Sequence, residues 1–585
     1  MPATLDRRSF MTYFSGLGLG STLFPGVLWA KLKAGAEITV DTIASAEEVA
    51  GLHFDPQERE LMLDGLKQQE QRIEALHKIS LDNSVAPAIR FDPLPPGKKV
   101  AAPSRRPMVR SKVPLRSISS DIDQLAFLPV TELSELVRRG RVSSTQLTQM
   151  YLARLKKYDP VLRCVISLTE ERALRQAAAA DAEIKRGRYR GPLHGIPWGA
   201  KDLLAVRGYK TTWGAGPFKD QVIDRDATVV QRLDDAGAVL VAKLTLGELA
   251  QGDIWFGATT KNPWKVDQGS SGSSAGPASA TAAGLVGFSI GSETLGSISS
   301  PSTRCGTTGL RPTFGRVPRT GAMALSWTMD KLGPICRSVE DCAIVLDAIY
   351  GPDGKDNTVI AADYQWNAEL SPKTLRVGYV KSAFDLPQTD PADPKRTTHA
   401  TKKFDDAALD VFQRLGIRLI PVDLPDIPYD AMRIILTAEA AAAFDELTRT
   451  DRDKELVQQG KGDWPNTFRT SRFIPAVDYV NANRVRSMAI QKWDDLMRTV
   501  DVIVTPTGAA NLSQLVATNL TGHPAVILPN GFRDDGTPVS LTFLGGLFEE
   551  GKVLAVAKAY QDATGFHLKH PVVPLTPPPA PSGGE

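Results

Sequence analysis

The chain is 585 residues long, 42% hydrophobic and 23% charged, with a net charge of +3. That length is well beyond the roughly 100–200 residues of a usual domain, so a large core is expected. The near-neutral charge leaves no electrostatic footprint for nucleic acid. Four cysteines (Cys164, Cys305, Cys336, Cys342) form no Cys-x-x-Cys pair, and seven histidines lie scattered. Neither a zinc site nor a disulfide framework is therefore expected, and no metal or cofactor.

The first motif lies at the amino terminus. Asp6-Arg7-Arg8-Ser9-Phe10-Met11 precedes a mildly apolar, glycine-rich run to Ala30, followed by KLKAGA. Paired arginines, a short weakly hydrophobic stretch and a small-x-small site form the pattern of a twin-arginine export signal. Residues 1–36 are read as that signal, cleaved after Ala36, which predicts a periplasmic or secreted protein. The run is too short and too rich in glycine for a stable membrane span of about 20 residues. Its GLGLG repeat follows no strand and is not a dinucleotide loop.

Residues 37–120 read as an appendage. Asp55-Pro56-Gln57-Glu58 supplies a capping residue, a proline at the first helical position and a glutamate three after the cap. Met62, Leu66, Ile73 and Leu76 then recur on one face, which predicts an amphipathic helix to about Ile79. Residues 86–114 are proline-rich and basic, the composition of extended chain lying on a larger body.

From Ile122 onward helices and strands alternate. Helices are predicted over 131–139, 143–158 (stopped by Pro160), 169–187, 227–235, from Ser338, near 401–414 and near 551–563. Strands are predicted at 163–168, 238–244, 285–291, 375–380, 417–422, 500–506, 523–529 and 539–545. The alternation predicts an α/β fold: one large domain over 121–570 with a mixed β-sheet covered by helices on both faces, plus the small helical amino-terminal extension. The proline-rich tail, 571–585, is set outside it.

Two serine- and glycine-rich blocks, GSSGSSAGPASATAAG (269–284) and GSETLGSISSP (291–301), interrupt this alternation. Such composition usually marks a flexible linker. These blocks flank an apolar strand inside the α/β core, so they read instead as tight turns or as chemistry.

GPLHGIPWGAKD (191–202), NPW (262–264) and the two serine blocks, followed in order by TTGLRPTFGRVP, TMDKLGPICRSVEDCA and TGHPAVILPNGF, resemble the signature blocks of the amidase signature family. The resemblance spans roughly residues 120 to 570. It implies a Ser–Ser–Lys triad of Ser297 as nucleophile, Ser273 as bridge and Lys201 as base, and a cis Gly272–Ser273 bond. The implied oxyanion hole is the backbone of Thr294, Leu295, Gly296 and Ser297. Segments with Trp213, Trp255 and Trp327 line the pocket in relatives, which makes these three the candidate substrate contacts.

The residue types suit those roles. A serine hydroxyl needs a positioned base to attack a carbonyl. No histidine stands near Ser297 in a motif, and a lysine can substitute if burial keeps it neutral. The sequence departs from the family pattern GTDxGGSIR, with Glu293, Leu295 and Ser299 at the aspartate, first glycine and arginine positions. The family's Asp–Arg support pair is thus absent, and the loop must be supported by other residues.

A rival reading takes Gly272-Ser273-Ser274-Ala275-Gly276 as a G-x-S-x-G nucleophile elbow, with Ser274 as nucleophile and His523 as base. It requires a strand directly before the serine, and KNPWKVDQGS reads as no strand. Lys243 is expected to be structural or solvent-facing and His194 to bond locally. Asp330 and Arg337 are weighed evenly between supporting contacts and plain surface.

The expected function is amide hydrolysis through an acyl-enzyme, cleaving a carboxamide or an aryl or alkyl amide. The alternatives are an amidotransferase A-type subunit, or a carbamate or ester hydrolase of the same family, or an inactive member serving as a binding protein. The expected partner is a small-molecule amide, with a homodimer left open.

Overall fold

The computed structural model describes residues 38–50, 52–79, 81–104, 106–113, 121–508 and 513–576. The export-signal expectation for residues 1–36 lies outside the described residues, as does the end of the tail.

The centre is an eleven-stranded mixed sheet. In chain order its strands are β1 (Val165–Leu168), β2 (Pro197–Lys201), β3 (Val239–Leu244), β4 (Phe288–Glu293), β5 (Thr308–Arg311) and β6 (Lys331–Cys336). They continue with β7 (Val377–Val380), β8 (Leu419–Val422), β9 (Val502–Pro506), β10 (Ala525–Phe532) and β11 (Pro538–Gly545). Their spatial order is β1-β3-β2-β4-β6-β5-β10-β11-β9-β7-β8. β2 runs parallel to both β3 and β4, with Ala200 level with Ile290. The carboxyl ends of β2 and β4 therefore open on the same side of the sheet, which brings Lys201 beside the 291–297 loop.

β2, β3, β4 and β6 are buried along their whole length, so none shows the polar alternation of a half-exposed strand, and the sequence signal is carried by the apolar residues of β3 and β4. β2, β5 and β6 give no strand signal in the sequence, because they are short and carry glycine, proline or a charged residue. The first serine block is more than tight turns. Its second half is a wholly buried helix, Ala275–Ala282. Small side chains are required there: a Cβ on Gly276 would lie 2.5 Å from Thr245 N and 2.6 Å from Cys164 O, both backbone atoms.

Two further expectations are corrected. Pro160 does not stop its helix. The helix runs Ser144–Leu162, and Arg163 closes it in the left-handed region while Asp159 Oδ1 accepts from Cys164 N and Val165 N. The segment 261–269 does contain strand: Lys261–Asn262 and Lys265–Gly269 pair as a small antiparallel hairpin outside the main sheet.

Asp55 and Glu58 form the capping box of helix Pro56–His77. Asn83 then bridges two parts of the body, accepting from Ala324 N at 2.7 Å and donating to Ala324 O at 2.9 Å and Ala443 O at 3.4 Å. Phe91 packs edge-on against Phe314 and beneath the Arg486 guanidinium. Val109 exchanges backbone hydrogen bonds with the 366–368 segment. All four cysteines are buried and free, and burial raises the thiols of Cys164, Cys305 and Cys336. Among the described residues no helix is long and apolar enough to cross a membrane.

Candidate active site

Lys201 ends β2 with its side chain wholly buried. Its Nζ lies 2.8 Å from Ser273 Oγ, 2.8 Å from Ser292 Oγ and 3.0 Å from Ser274 Oγ. No carboxylate makes an ion pair with it among the described residues. Burial pushes its pKa well below the ordinary lysine value, against the weaker pull of Asp330 and Glu293. A neutral amine has two N–H donors and one lone pair, which three hydroxyls at hydrogen-bond distance satisfy.

The Gly272–Ser273 bond is cis. Gly272 is required by space, because a Cβ there would meet Gly252 O at 1.8 Å. Ser274 is tied to the backbone of β4. Its Oγ donates to Ser292 O at 3.1 Å and accepts from Ser292 N at 3.1 Å, which fastens the serine block to that strand. The elbow reading places His523 as base, but His523 Nδ1 meets Thr521 Oγ1 at 2.8 Å and its ring packs beside Trp493. The preceding hairpin strand also lies outside the main sheet.

Ser297 reaches the site from β4. Its carbonyl accepts from Ser274 N at 3.0 Å, which sets it beside Ser273. Among the described residues no hydrogen bond reaches Ser297 Oγ and none occupies the N–H groups of Thr294, Leu295, Gly296 or Ser297. Gly296 adopts φ +90°, a backbone turn that L side chains rarely make.

The loop is supported from below by Glu293, replacing the Asp–Arg pair that the sequence lacks. Its Oε2 accepts from Ile298 N (2.9 Å), Ser299 N (2.8 Å) and Ser299 Oγ (2.8 Å). Its Oε1 accepts from Arg311 Nη1 (2.9 Å) and Asn519 Nδ2 (2.8 Å). Burial alone would raise this carboxyl, but Arg311 and the loop N–H groups prevail and hold it at about 2. Asp330 supports the other side, accepting from Thr294 Oγ1 at 2.6 Å and from Leu325 N and Ser326 N.

Ser292, Arg311 and Asn519 do not stand out in the sequence. An arginine inside the apolar stretch TTGLRPT is the one available signal, since a buried guanidinium demands a carboxylate. Lys243, expected to be structural or solvent-facing, is fully buried and pairs with Asp202 at 2.7 Å. Burial works against both charges, yet the pair anchors the 210–212 loop through Lys210 O, Thr211 Oγ1 and Thr212 N. Arg337 donates to Leu128 O, Thr281 O and Val286 O, a structural role. His194 is buried and accepts from Arg190 N.

The three tryptophans separate. Trp213, at φ +53°, stands against Phe218 and Phe444 in a cavity of about 410 Å³ also lined by the exposed Leu76, Ile79 and Leu81. Trp327 lines a second cavity of about 230 Å³ with Asp330, and Asn83 borders both cavities. Trp255 lies edge-on to Phe256 and borders neither.

A buried amine ringed by serines, facing a loop of free N–H groups at the carboxyl ends of parallel strands, defines a class of lysine-assisted serine chemistry. The comparisons with known proteins agree. The family profile Amidase matches residues 146–515. The A subunit of glutamyl-tRNA(Gln) amidotransferase from Acinetobacter baumannii is 33% identical over 492 residues, 76% of this chain and 98% of the relative. The native peptide amidase from Stenotrophomonas maltophilia superposes with a TM-score of 0.65 at 30% identity, covering 76% of this chain and 98% of that one. The Thermotoga maritima counterpart of the amidotransferase relative gives 0.62 at 26% identity, covering 76% and 96%. The chain belongs to the amidase (amidase signature) family, and the α/β architecture expected from the sequence is that of these relatives.

Proposed function

We propose that the protein is an amide hydrolase that works through an acyl-enzyme on Ser297. The observation that carries this reading is the wholly buried Lys201, its pKa pushed well below the ordinary lysine value by burial, with three serine hydroxyls within 3.0 Å. Ser297 Oγ attacks the scissile carbonyl and passes its proton to Ser273 Oγ, whose own proton moves to Lys201 Nζ. The carbonyl oxygen becomes an oxyanion held by N–H groups of the 294–297 loop, each such donor worth roughly 3–4 kcal/mol of barrier. Collapse breaks the C–N bond, and the proton returns from Lys201 through Ser273 to the leaving amine or ammonia. Water then repeats the sequence on the ester, releasing the acid and restoring Ser297.

The substrate is read as a carboxamide or an aryl or alkyl amide, with Trp213 and Trp327 contacting its apolar portion. The second reading is an amidotransferase A-type subunit, favoured by the 33% identity to the glutamyl-tRNA(Gln) amidotransferase relative over 98% of its length. The export motif at Arg7-Arg8 favours a free hydrolase acting in the periplasm or outside the cell.

The test is active-site labelling with a fluorophosphonate followed by peptide mapping, alongside amine or ammonia release from a panel of amides. Label on Ser297, lost in Ser297→Ala, is expected. Label on Ser274, or none, sinks the reading. Release that requires added acceptor and partner proteins favours the amidotransferase.

A further inference from the structure

Residues 76–89 precede the stretch that matches the family, 146–515, yet they line two cavities at once. The cavity of about 410 Å³ takes Leu76, Ile79, Leu81 and Asn83 from this segment and is also lined by Trp213 and Phe444. The cavity of about 230 Å³ takes Asn83, Ser84 and Ile89 and is also lined by Trp327 and Asp330. Each cavity abuts the catalytic machinery. Asp330 accepts from Thr294 Oγ1 of the oxyanion loop, and Trp213 N donates at 3.4 Å to the carbonyl of Asp202, the residue after Lys201.

The segment is held over both cavities at one point. From residue 81 to residue 90 every side chain is exposed except Asn83. A turn carries it inward, with Asp82 Oδ1 accepting from Ser84 N at 2.8 Å and Asp82 O from Val85 N at 2.9 Å. The Asn83 amide then pairs with both backbone groups of Ala324 and donates to Ala443 O, which uses its acceptor and its two donors together. Ala324 leads into the Leu325 and Ser326 N–H groups that hold Asp330, and Ala443 precedes Phe444 of the larger cavity. Around that cavity Leu76 is 64%, Ile79 55% and Leu81 70% exposed. Large apolar side chains clustered at the mouth of an apolar cavity are a mark of ligand binding, since an occupant would bury them.

We propose that residues 76–89 are a specificity strap, in which Leu81 encloses an aryl portion of the amide substrate against Trp213 and Phe444 and Asn83 is the positioning residue that holds the strap in place. The proposal rests on the amide-hydrolase reading of Ser297 but is tested apart from it. The experiment measures equilibrium binding of 4-phenylbutanamide and of butanamide to the Ser297→Ala protein. The two probes share the amide and the chain and differ by one ring. The phenyl probe is expected to bind roughly tenfold more tightly or better, the worth of one buried apolar group. Ser297→Ala/Leu81→Ser changes only an exposed side chain of the strap, whereas Ser297→Ala/Asn83→Asp sets a carboxylate oxygen against the Ala324 and Ala443 carbonyls. The phenyl preference is expected to fall about threefold or more in each. No phenyl preference in the Ser297→Ala protein, or one that persists unchanged in either double variant, overturns the strap. Ammonia release from 4-phenylbutanamide by the wild-type protein is scored separately. Its absence counts against the hydrolase reading and leaves the binding ratio to decide the strap.

Discussion

Lys201 has no exposure to water and no carboxylate at its nitrogen, an environment that disfavours the ammonium form. If the neutral amine is the working base, acylation rises with pH through an apparent pKa below that of a free lysine, about 10.4. The value read belongs to the coupled Lys201–Ser273 pair rather than to one residue. Lys201→Ala is expected to slow single-turnover acylation by about 10²–10⁴-fold. Lys201→Arg should be as slow, because arginine keeps its proton to about pH 12 and above. Near-normal acylation by the arginine variant would show that the position supplies charge alone. Glu293 yields a second test at this scale. Its folded pKa of about 2 lies below the usual 4.5, so its stabilisation is present above 4.5 and is lost as pH falls towards 2. Glu293→Gln leaves Arg311 buried without its counter-charge, at a cost of about 3–5 kcal/mol. Denaturant melts of the wild type and this variant from pH 7 to pH 2 should converge at the acid end.

Lys201 and the two serine blocks are picked out by motif order in the chain, whereas the residues that support them are not. Ser292 looks like any strand serine until β2 and β4 are set side by side, and Asn519 reaches Glu293 from 226 residues away. Elements mislead for local reasons. Pro160 resembles a stop because proline lacks an N–H, but it sits in the last turn, and the helix runs on to Leu162 before Arg163 closes it. The Gly/Ala/Ser helix Ala275–Ala282 has no polar face to reveal a period, since all of it is buried. That packing makes a prediction. Gly276→Val pushes side-chain atoms into Thr245 N and Cys164 O, backbone atoms that cannot swing aside. Overpacking of this kind costs about 1–3 kcal/mol or more. Because Ser274 and Ser273 lead directly into this helix, Gly276→Val should lower the melting temperature and slow fluorophosphonate labelling together. An unchanged melt would contradict the close approach.

The large α/β core is legible from the alternation of patterns over 121–570, since each strand or helix needs its own apolar period. The path of residues 81–113 is not, because Asn83 and Phe91 find their partners in segments hundreds of residues away. For export, Arg7→Lys/Arg8→Lys is expected to hold the protein in the cytoplasm, measured by cell fractionation. Unchanged extracytoplasmic protein would count against the twin-arginine reading. The four sealed sulfurs have a practical consequence. A protein without an accessible thiol is a blank background for maleimide chemistry, and one introduced cysteine becomes its only handle. Ser84→Cys, exposed beside the Trp327 cavity, would carry a fluorophore whose emission reports occupancy of that cavity without any turnover.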